Sequence, residues 1–231
     1  AVRNAIAHII NYDSMAKIIG NSSTPGAAPF PPSANLGYDK IANKPTTDVS
    51  KADQILTQAG YAKNANGVYA KDGKELSITL TIWGKDTSLY EEIQQELKQA
   101  GINVTLKKLQ SPDEVDTLGT DSFDLLERAA ITMSTNDPYW YLSLFYKSGA
   151  KANIGAYSNP QVDALIDQLS VTFDQNERSN IAKQAQQILV DDVADIYLLY
   201  PSTTVVSTSK VKNVSVHPID YYLLTKDSTI E

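Results

Sequence analysis

Apolar residues recur at helical spacing from the first positions of the chain, at Val2, Ala5, Ile6, Ile9 and Ile10. The spacing predicts a helix through about Asn11, then a second short helix capped by Asp13 and ending at Gly20. There the pattern stops. Pro25, Gly26, Pro29, Pro31, Pro32, Gly37 and Pro45 fall within residues 21–49. Proline fixes φ and removes backbone donors, so this stretch reads as a long extended loop. Helical spacing returns at Ser50-Lys51-Ala52-Asp53, an imperfect capping box, and ends at Gly60. Asn66-Gly67 and Asp72-Gly73 then bracket a short β-like piece, which is hairpin chemistry. Residues 76–83 alternate apolar and polar as a strand does. Ser88-Leu89-Tyr90-Glu91 caps a helix to Ala100, Gly101 ends it, and residues 102–109 form another strand. Strand, helix and strand in so short a span predict a parallel βαβ unit.

Past a polar stretch containing Pro112, residues 123–126 read as a short buried strand. A loop around Asn136-Asp137-Pro138 leads to an aromatic helix over residues 139–146, and residues 149–157 read as loop. Asn159-Pro160 places proline at a first helical position, and Asp174-Gln175-Asn176-Glu177 caps a further long helix through about Val190. Residues 196–200, 203–207 and 211–216 are rich in β-formers, and the tail continues in Tyr, Leu and Thr. The alternation of elements gives an α/β fold class.

Composition narrows the function classes. The 231 residues are 42% hydrophobic and 20% charged, enough for a buried core and too ordered a mixture for wholesale disorder. A net charge of -7 argues against a nucleic-acid partner, which requires a basic track. No apolar run approaches the roughly 18–20 residues that cross a bilayer. The absence of cysteine excludes thiolate metal sites, thiol nucleophiles and disulfides. The chain opens without an initiator Met and inside a helix pattern, which leads us to expect a fragment of a longer chain.

Catalytic signatures are missing: there is no Gly-x-Ser-x-Gly elbow, no His-Glu-x-x-His and no Gly-rich phosphate loop. His8 lies on the apolar stripe of the first helix and reads as a packed structural histidine, while His217 has no carboxylate near it in sequence. Asp191, Asp192 and Asp195 cluster at a helix end and read as a solvated face rather than a cation site. Neither a metal site nor a cofactor is expected.

Binding chemistry is better represented. Arg128 follows the strand at 123–126, where a cation must stay solvated or meet an anion. Short side chains follow, and Thr132, Ser134 and Asn136 offer hydrogen bonds just before Tyr139 and Trp140. Tyr139, Trp140, Leu144 and Phe145 read either as ligand-facing aromatics or as the core face of their helix. Trp83, at the C-terminal end of the first βαβ strand, is a further candidate, since strand ends carry ligand contacts in α/β folds.

In the order and spacing of these motifs the chain resembles the C-terminal lobe of the extracytoplasmic solute-binding proteins of the peptide/nickel ABC-importer family (family 5). The resemblance rests on the opening Val2-Arg3-Asn4-Ala5-Ile6 through Tyr12-Asp13 and on Gly26-Ala27-Ala28-Pro29. It continues in Ala59-Gly60-Tyr61, in Leu97-Lys98-Gln99-Ala100-Gly101-Ile102-Asn103-Val104, in Ser158-Asn159-Pro160-Gln161-Val162-Asp163-Ala164-Leu165-Ile166, and in Glu177-Arg178. It implies one lobe of a two-lobed periplasmic-binding-protein-like (class II) fold, a mixed sheet with flanking helices. Residues 1–195 would form the substrate-binding lobe, and residues 196–231 a β-rich tail that crosses back to the other lobe with apolar surface exposed.

The same resemblance implies a non-enzymatic, monomeric subunit that captures a peptide or similar small solute between lobes and delivers it to the permease. It would act outside the cytoplasm, in the periplasm or lipid-anchored at the cell surface. Arg128 matches the position of an Arg that meets a peptide carboxylate in this family. The Asp that pairs with a peptide amine falls on Ser134, and the tryptophan often found before it falls on Ile131. Phe123-Asp124-Leu125-Leu126, Arg128, Asp137-Pro138 and residues 211–230 resemble the nickel branch, which makes a metal-chelate receptor the alternative. The loop at 147–154 contains no histidine, so a chelator would have to supply the coordination itself. A hydrolytic enzyme is the alternative from another class.

Overall fold

A computed structural model describes residues 1–19, 23–84, 86–119, 122–132, 137–202, 204–214 and 224–231. Ser134, Asn136 and His217 lie outside the described residues. The chain opens on α1 (Val2–Ile9) and α2 (Tyr12–Ile18). α1 turns Ala5, Ile6 and Ile9 into the core. His8 is buried, and its Nδ1 donates to the Thr46 carbonyl at 2.8 Å. The cap of α2 is Asn11, whose side chain accepts from the Ser14 N–H at 3.1 Å, and not Asp13. Asp13 sits in the first turn instead, where a negative charge still suits the helix dipole.

The proline-rich stretch is extended for most of its length. It holds a three-residue strand, β1 (Ser23–Pro25), and two single 3-10 turns. α3 (Val49–Gln58) is capped by Asp48, which accepts from the Lys51 N–H at 2.9 Å, so the cap lies two residues before the expected Ser50. Asp53, the other half of the expected box, instead accepts from the Tyr69 hydroxyl. The expected hairpin forms from β2 (Ala62–Lys63), β3 (Tyr69–Lys71) and β4 (Lys74–Glu75).

The βαβ unit is present as β5 (Ser77–Ile82), α4 (Ser88–Ala100) and β6 (Asn103–Lys108). Gly101 ends α4 at φ 104°, and a Cβ there would stand 2.5 Å from the Gly67 carbonyl oxygen, so glycine is required twice over. β5 and β6 run parallel in continuous register from Ser77 against Asn103 to Ile82 against Lys108. On the other side of β5 lies β7 (Leu125–Leu126), also parallel, giving the order β6-β5-β7. β7 was expected to be buried, but Phe123, Leu125 and Leu126 are only half-buried because their strand is the edge of the sheet.

α5 (Pro138–Phe145), α6 (Pro160–Val171) and α7 (Gln175–Asp191) follow, capped by Asp137, Asn159 and Asp174. Last come β8 (Leu199–Pro201), β9 (Val211–Lys212) and β10 (Thr229–Ile230). β8 pairs antiparallel with β1, and β9 with β10, so pairing in the molecule is mixed, parallel in the central sheet and antiparallel around it. The strand expected at 203–207 is absent over Thr204–Ser207, because β-prone side chains do not make a strand where no ladder partner is supplied.

Two large apolar clusters and a small third one, Ala28, Ile41 and Val190, form the core among the described residues. Of the large ones, the first joins α1, α2, α3 and α4 to the central sheet; the second joins α5, α6 and α7 around Phe30 and Leu36. Between them, Tyr197 packs against the second cluster, while Ile196, Leu198 and Leu199 pack against the first.

Candidate functional site

β5 and β7 end side by side at their carboxyl ends. Continuing their register beyond Thr81 against Leu126 sets Trp83 level with Arg128. Arg128 is exposed at the edge of the apolar layer. Among its contacts are two on its own lobe. The guanidinium stacks over the Phe145 ring, 4.0 Å from its centroid, and Nη1 donates to the Ala152 carbonyl at 2.5 Å.

The loop carrying Ala152 is braced from within. Asn153 is buried, donates through Nδ2 to the Lys147 and Tyr157 carbonyls, and accepts from the Tyr157 N–H. The Ser148 N–H donates to Asp163 Oδ1 at 2.8 Å, tying the same loop to α6. The carbonyl that meets Arg128 is therefore a built feature of the lobe.

α5 resolves the two readings of its aromatics by splitting them. Tyr141, Leu142 and Tyr146 enter the core, whereas Tyr139 and Trp140 are exposed. Trp140 meets Phe145 edge-to-face at 6.2 Å, so Trp140, Phe145 and the Arg128 guanidinium form one continuous shelf. Tyr141 lies under that shelf. Burial, chiefly, and the Asp195 charge push its phenol up to about 12, opposed by its hydrogen bond with Tyr146 and by the Arg128 charge. Thr132 and Trp83 are half-buried.

Of the six residues expected from the sequence, Arg128 and Trp140 share the shelf, and Trp83 lies at the adjacent strand end. Thr132 follows in the segment that leaves β7, and Ser134 and Asn136 fall outside the described residues. The sequence reading missed Phe145 as a partner of Arg128, the Ala152 carbonyl, and the acids flanking β7. One signal was available for the acids: Asp124 and Glu127 bracket an apolar pair too short to end a ladder with its own backbone.

Asp191, Asp192 and Asp195 are exposed, as a solvated face requires, and each also accepts hydrogen bonds. Asp191 accepts from Asn43 at 2.9 Å, Asp192 from Tyr157 at 2.6 Å and Asn159 at 2.8 Å, and Asp195 from Tyr146 at 2.6 Å. These three directions do not converge, and no group of acids and histidines among the described residues is arranged to hold a metal. An open groove of about 600 Å³ lies elsewhere, lined by Arg3, Tyr61, Lys71 and Asp192 among others, and contains none of the expected ligand residues. Its cations are engaged: Arg3 donates to the Asp192 carbonyl and Lys71 to the Ala59 carbonyl. The shelf, by contrast, is an open surface, as one half of a two-sided site would be. Among the described residues no helix is long and apolar enough to cross a membrane.

Comparison with known proteins gives this surface a context. The family model for bacterial extracellular solute-binding proteins, family 5 Middle, matches residues 1–153. The nickel-binding protein NikA of Staphylococcus aureus is 29% identical over all of this chain and 45% of its own length. The probable D,D-dipeptide-binding periplasmic protein DdpA of Escherichia coli is 28% identical over 94% of this chain and 41% of its own. The crystal structure of S. aureus NikA in complex with Ni(L-His)2 superposes on the whole chain with a TM-score of 0.75 at 27% identity, covering 48% of that chain. The chain thus spans less than half the length of the curated relatives it matches. It belongs to the bacterial extracellular solute-binding proteins of family 5.

Proposed function

We propose that the chain is one lobe of the ligand-capturing subunit of an ABC importer, which closes with a second lobe around a small solute and delivers it to the membrane permease. The observation that carries this reading is the shelf at the carboxyl ends of β5 and β7. There a cation (Arg128) and an exposed indole (Trp140) stand together on rigid elements without enclosing a cavity. A ligand on this surface would be half-covered, and a facing lobe would complete its burial. Arg128, Thr132, Ser134, Asn136, Trp140 and Trp83 are the contacts we assign to this lobe. We assign residues 1–195 to the lobe and 196–231 to a tail, which starts by packing residues 196–201 on the lobe and pairing with β1; the exposure of Val206, Leu224 and Ile230 supports its later part reaching toward the partner.

The ligand class follows from the cation. An exposed guanidinium offers paired donors to a carboxylate, so peptides and carboxylate-bearing metal chelates both suit it. The chelate reading is supported by the likeness to the nickel-binding protein NikA; the 147–154 loop contains no histidine, so coordination would be left to the chelator. The subunit makes and breaks no bond, and works as a monomer outside the cytoplasm, either free in the periplasm or lipid-anchored.

Calorimetric titration of the whole receptor with short peptides and with nickel plus L-histidine tests this. Saturable binding of either probe supports the receptor and selects between its two ligands. Binding of neither, or steady turnover of a peptide, would overturn it.

A further inference from the structure

β7 is only two residues long, and both of its ends are closed by side chains. In a parallel ladder that ran on, the N–H groups of Thr79 and Trp83 would meet the main-chain carbonyls of Phe123 and Glu127. Instead the Thr79 N–H donates to Asp124 Oδ2 at 2.7 Å, and the Trp83 N–H donates to Glu127 Oε2 at 2.7 Å. Between them the ladder continues normally, with the Glu127 N–H donating to the Thr81 carbonyl at 2.8 Å. The carboxylates let the chain join and leave the sheet abruptly without orphaning a β5 donor.

The two acids differ in what they hold. Asp124 closes the amino end, far from the shelf. Glu127 closes the carboxyl end, and the Tyr90 phenol of α4 lies beside it: burial, chiefly, and the Glu127 carboxylate hold that phenol well above its ordinary range. The Glu127 carboxylate therefore fastens β5 at Trp83 to the residue before Arg128, with the Tyr90 phenol of α4 beside it. Trp83 is bound through its own N–H, and Arg128 is the next residue along the chain. The two ligand candidates that stand level at the strand ends share this single brace.

We propose that Glu127 is a positioning residue of the ligand surface, which sets Trp83 and the 128–132 segment in their mutual register without touching the ligand. This rests on the reading of the shelf as a ligand surface. Side chains that hold contact residues in place matter because small displacements at a binding surface forfeit much of its interaction. Glu127→Ala removes the acceptor for the Trp83 N–H. Glu127→Gln keeps an amide oxygen for the Trp83 N–H.

Two measurements on the whole receptor decide the matter. The first needs no ligand. Amide hydrogen exchange should speed up at Trp83 in Glu127→Ala and stay unchanged at Leu80, with protection restored in Glu127→Gln. The second is affinity for nickel plus L-histidine and for trialanine. Glu127→Ala should weaken whichever probe binds by about tenfold, Glu127→Gln by no more than about threefold. In a Trp83→Ala/Arg128→Ala background the Glu127→Ala loss should nearly vanish, since the residues it positions are gone. Unchanged Trp83 protection, unchanged affinity, or a full loss retained in that background would each overturn the proposal. If the unaltered receptor binds neither probe, the reading of the shelf fails, and the positioning of a ligand surface fails with it. Trp83 exchange still shows separately whether the brace exists.

Discussion

Arg178 Nη2 donates to both carboxylate oxygens of Asp137, at 2.5 Å each. Asp137 is also the cap of α5, accepting from the Tyr139 N–H at 2.7 Å, and Arg178 Nη1 takes the Leu169 carbonyl at 2.6 Å and the Thr172 carbonyl as well. The start of the helix that displays Trp140 is thereby locked to the junction of α6 and α7. Arg178 is largely buried and Asp137 is 39% exposed, so the remaining charge after a deletion would be partly solvated. Arg178→Ala is expected to cost roughly 1–3 kcal/mol, below the full penalty of a deeply buried pair. Arg178→Lys should recover only part of that, because an ammonium cannot reproduce the planar fork. Urea unfolding of the three proteins measures both differences.

Arg128→Ala should leave stability nearly unchanged, within about 0.5 kcal/mol, because the side chain is exposed. Affinity of the whole receptor for carboxylate-bearing ligands should fall roughly tenfold to a hundredfold, the scale of one charge-assisted hydrogen bond. Arg128→Lys should fall in between, losing the stacking on Phe145. Calorimetry with a peptide and with its amidated form checks the carboxylate dependence: the variant and the unaltered protein should differ only for the free acid.

Gly26→Ala should destabilise the fold although Gly26 is not at a positive φ. A Cβ at this position would stand 2.4 Å from the Tyr197 carbonyl oxygen and 2.8 Å from the Leu199 nitrogen, both backbone atoms that cannot rotate away. The close approach is what lets the Gly26 N–H reach the Leu198 carbonyl at 2.9 Å and β1 pair with β8. A cost of about 1–3 kcal/mol is expected, as for other overpacked sites. Exchange protection at Gly26 should drop more than protection in β5, which thermal melting alone would not reveal.

Alkaline pH should loosen the second core cluster. The Tyr141 phenol is raised from 10.0 to about 12, chiefly by burial, so the folded chain favours its neutral form. That stabilisation is complete below pH 10, where the unfolded chain also holds the proton, and is lost as pH rises from 10 through about 12. Tyr146, buried, and Tyr197, half-buried, both near Asp195, shift in the same direction. Unfolding midpoints should therefore fall across that window, and Tyr141→Phe should flatten part of the fall. Tyrosine absorbance at 295 nm, followed in parallel, should show a late-ionising fraction that shrinks in the variant.

Much of the fold was legible along the chain. Pro160 after Asn159, Gly101 after Ala100, and the alternation before Trp83 are local signals, and each element stands where its signal stood. Errors arose where two nearby side chains competed for one role. Asn11 rather than Asp13 caps α2, and Asp48 rather than Ser50 caps α3, because a cap depends on backbone geometry that neighbouring candidates share almost equally. The stretch at 204–207 has strand composition without strand pairing, since pairing requires a partner that composition does not supply.

The candidate surface divides along the same line. That Arg128 would be a cation just beyond a strand, solvated or met by an anion, follows from charge and apolar spacing alone, as does an aromatic helix soon after it. That the guanidinium rests on Phe145 and meets the Ala152 carbonyl, that Trp140 faces out while Tyr141 faces in, and that Glu127 replaces a backbone acceptor for Trp83 required the folded chain. Periodicity and capping act between residues a few positions apart. These contacts join residues 5 to 44 positions apart, and their distances are set by how the helices and the sheet pack.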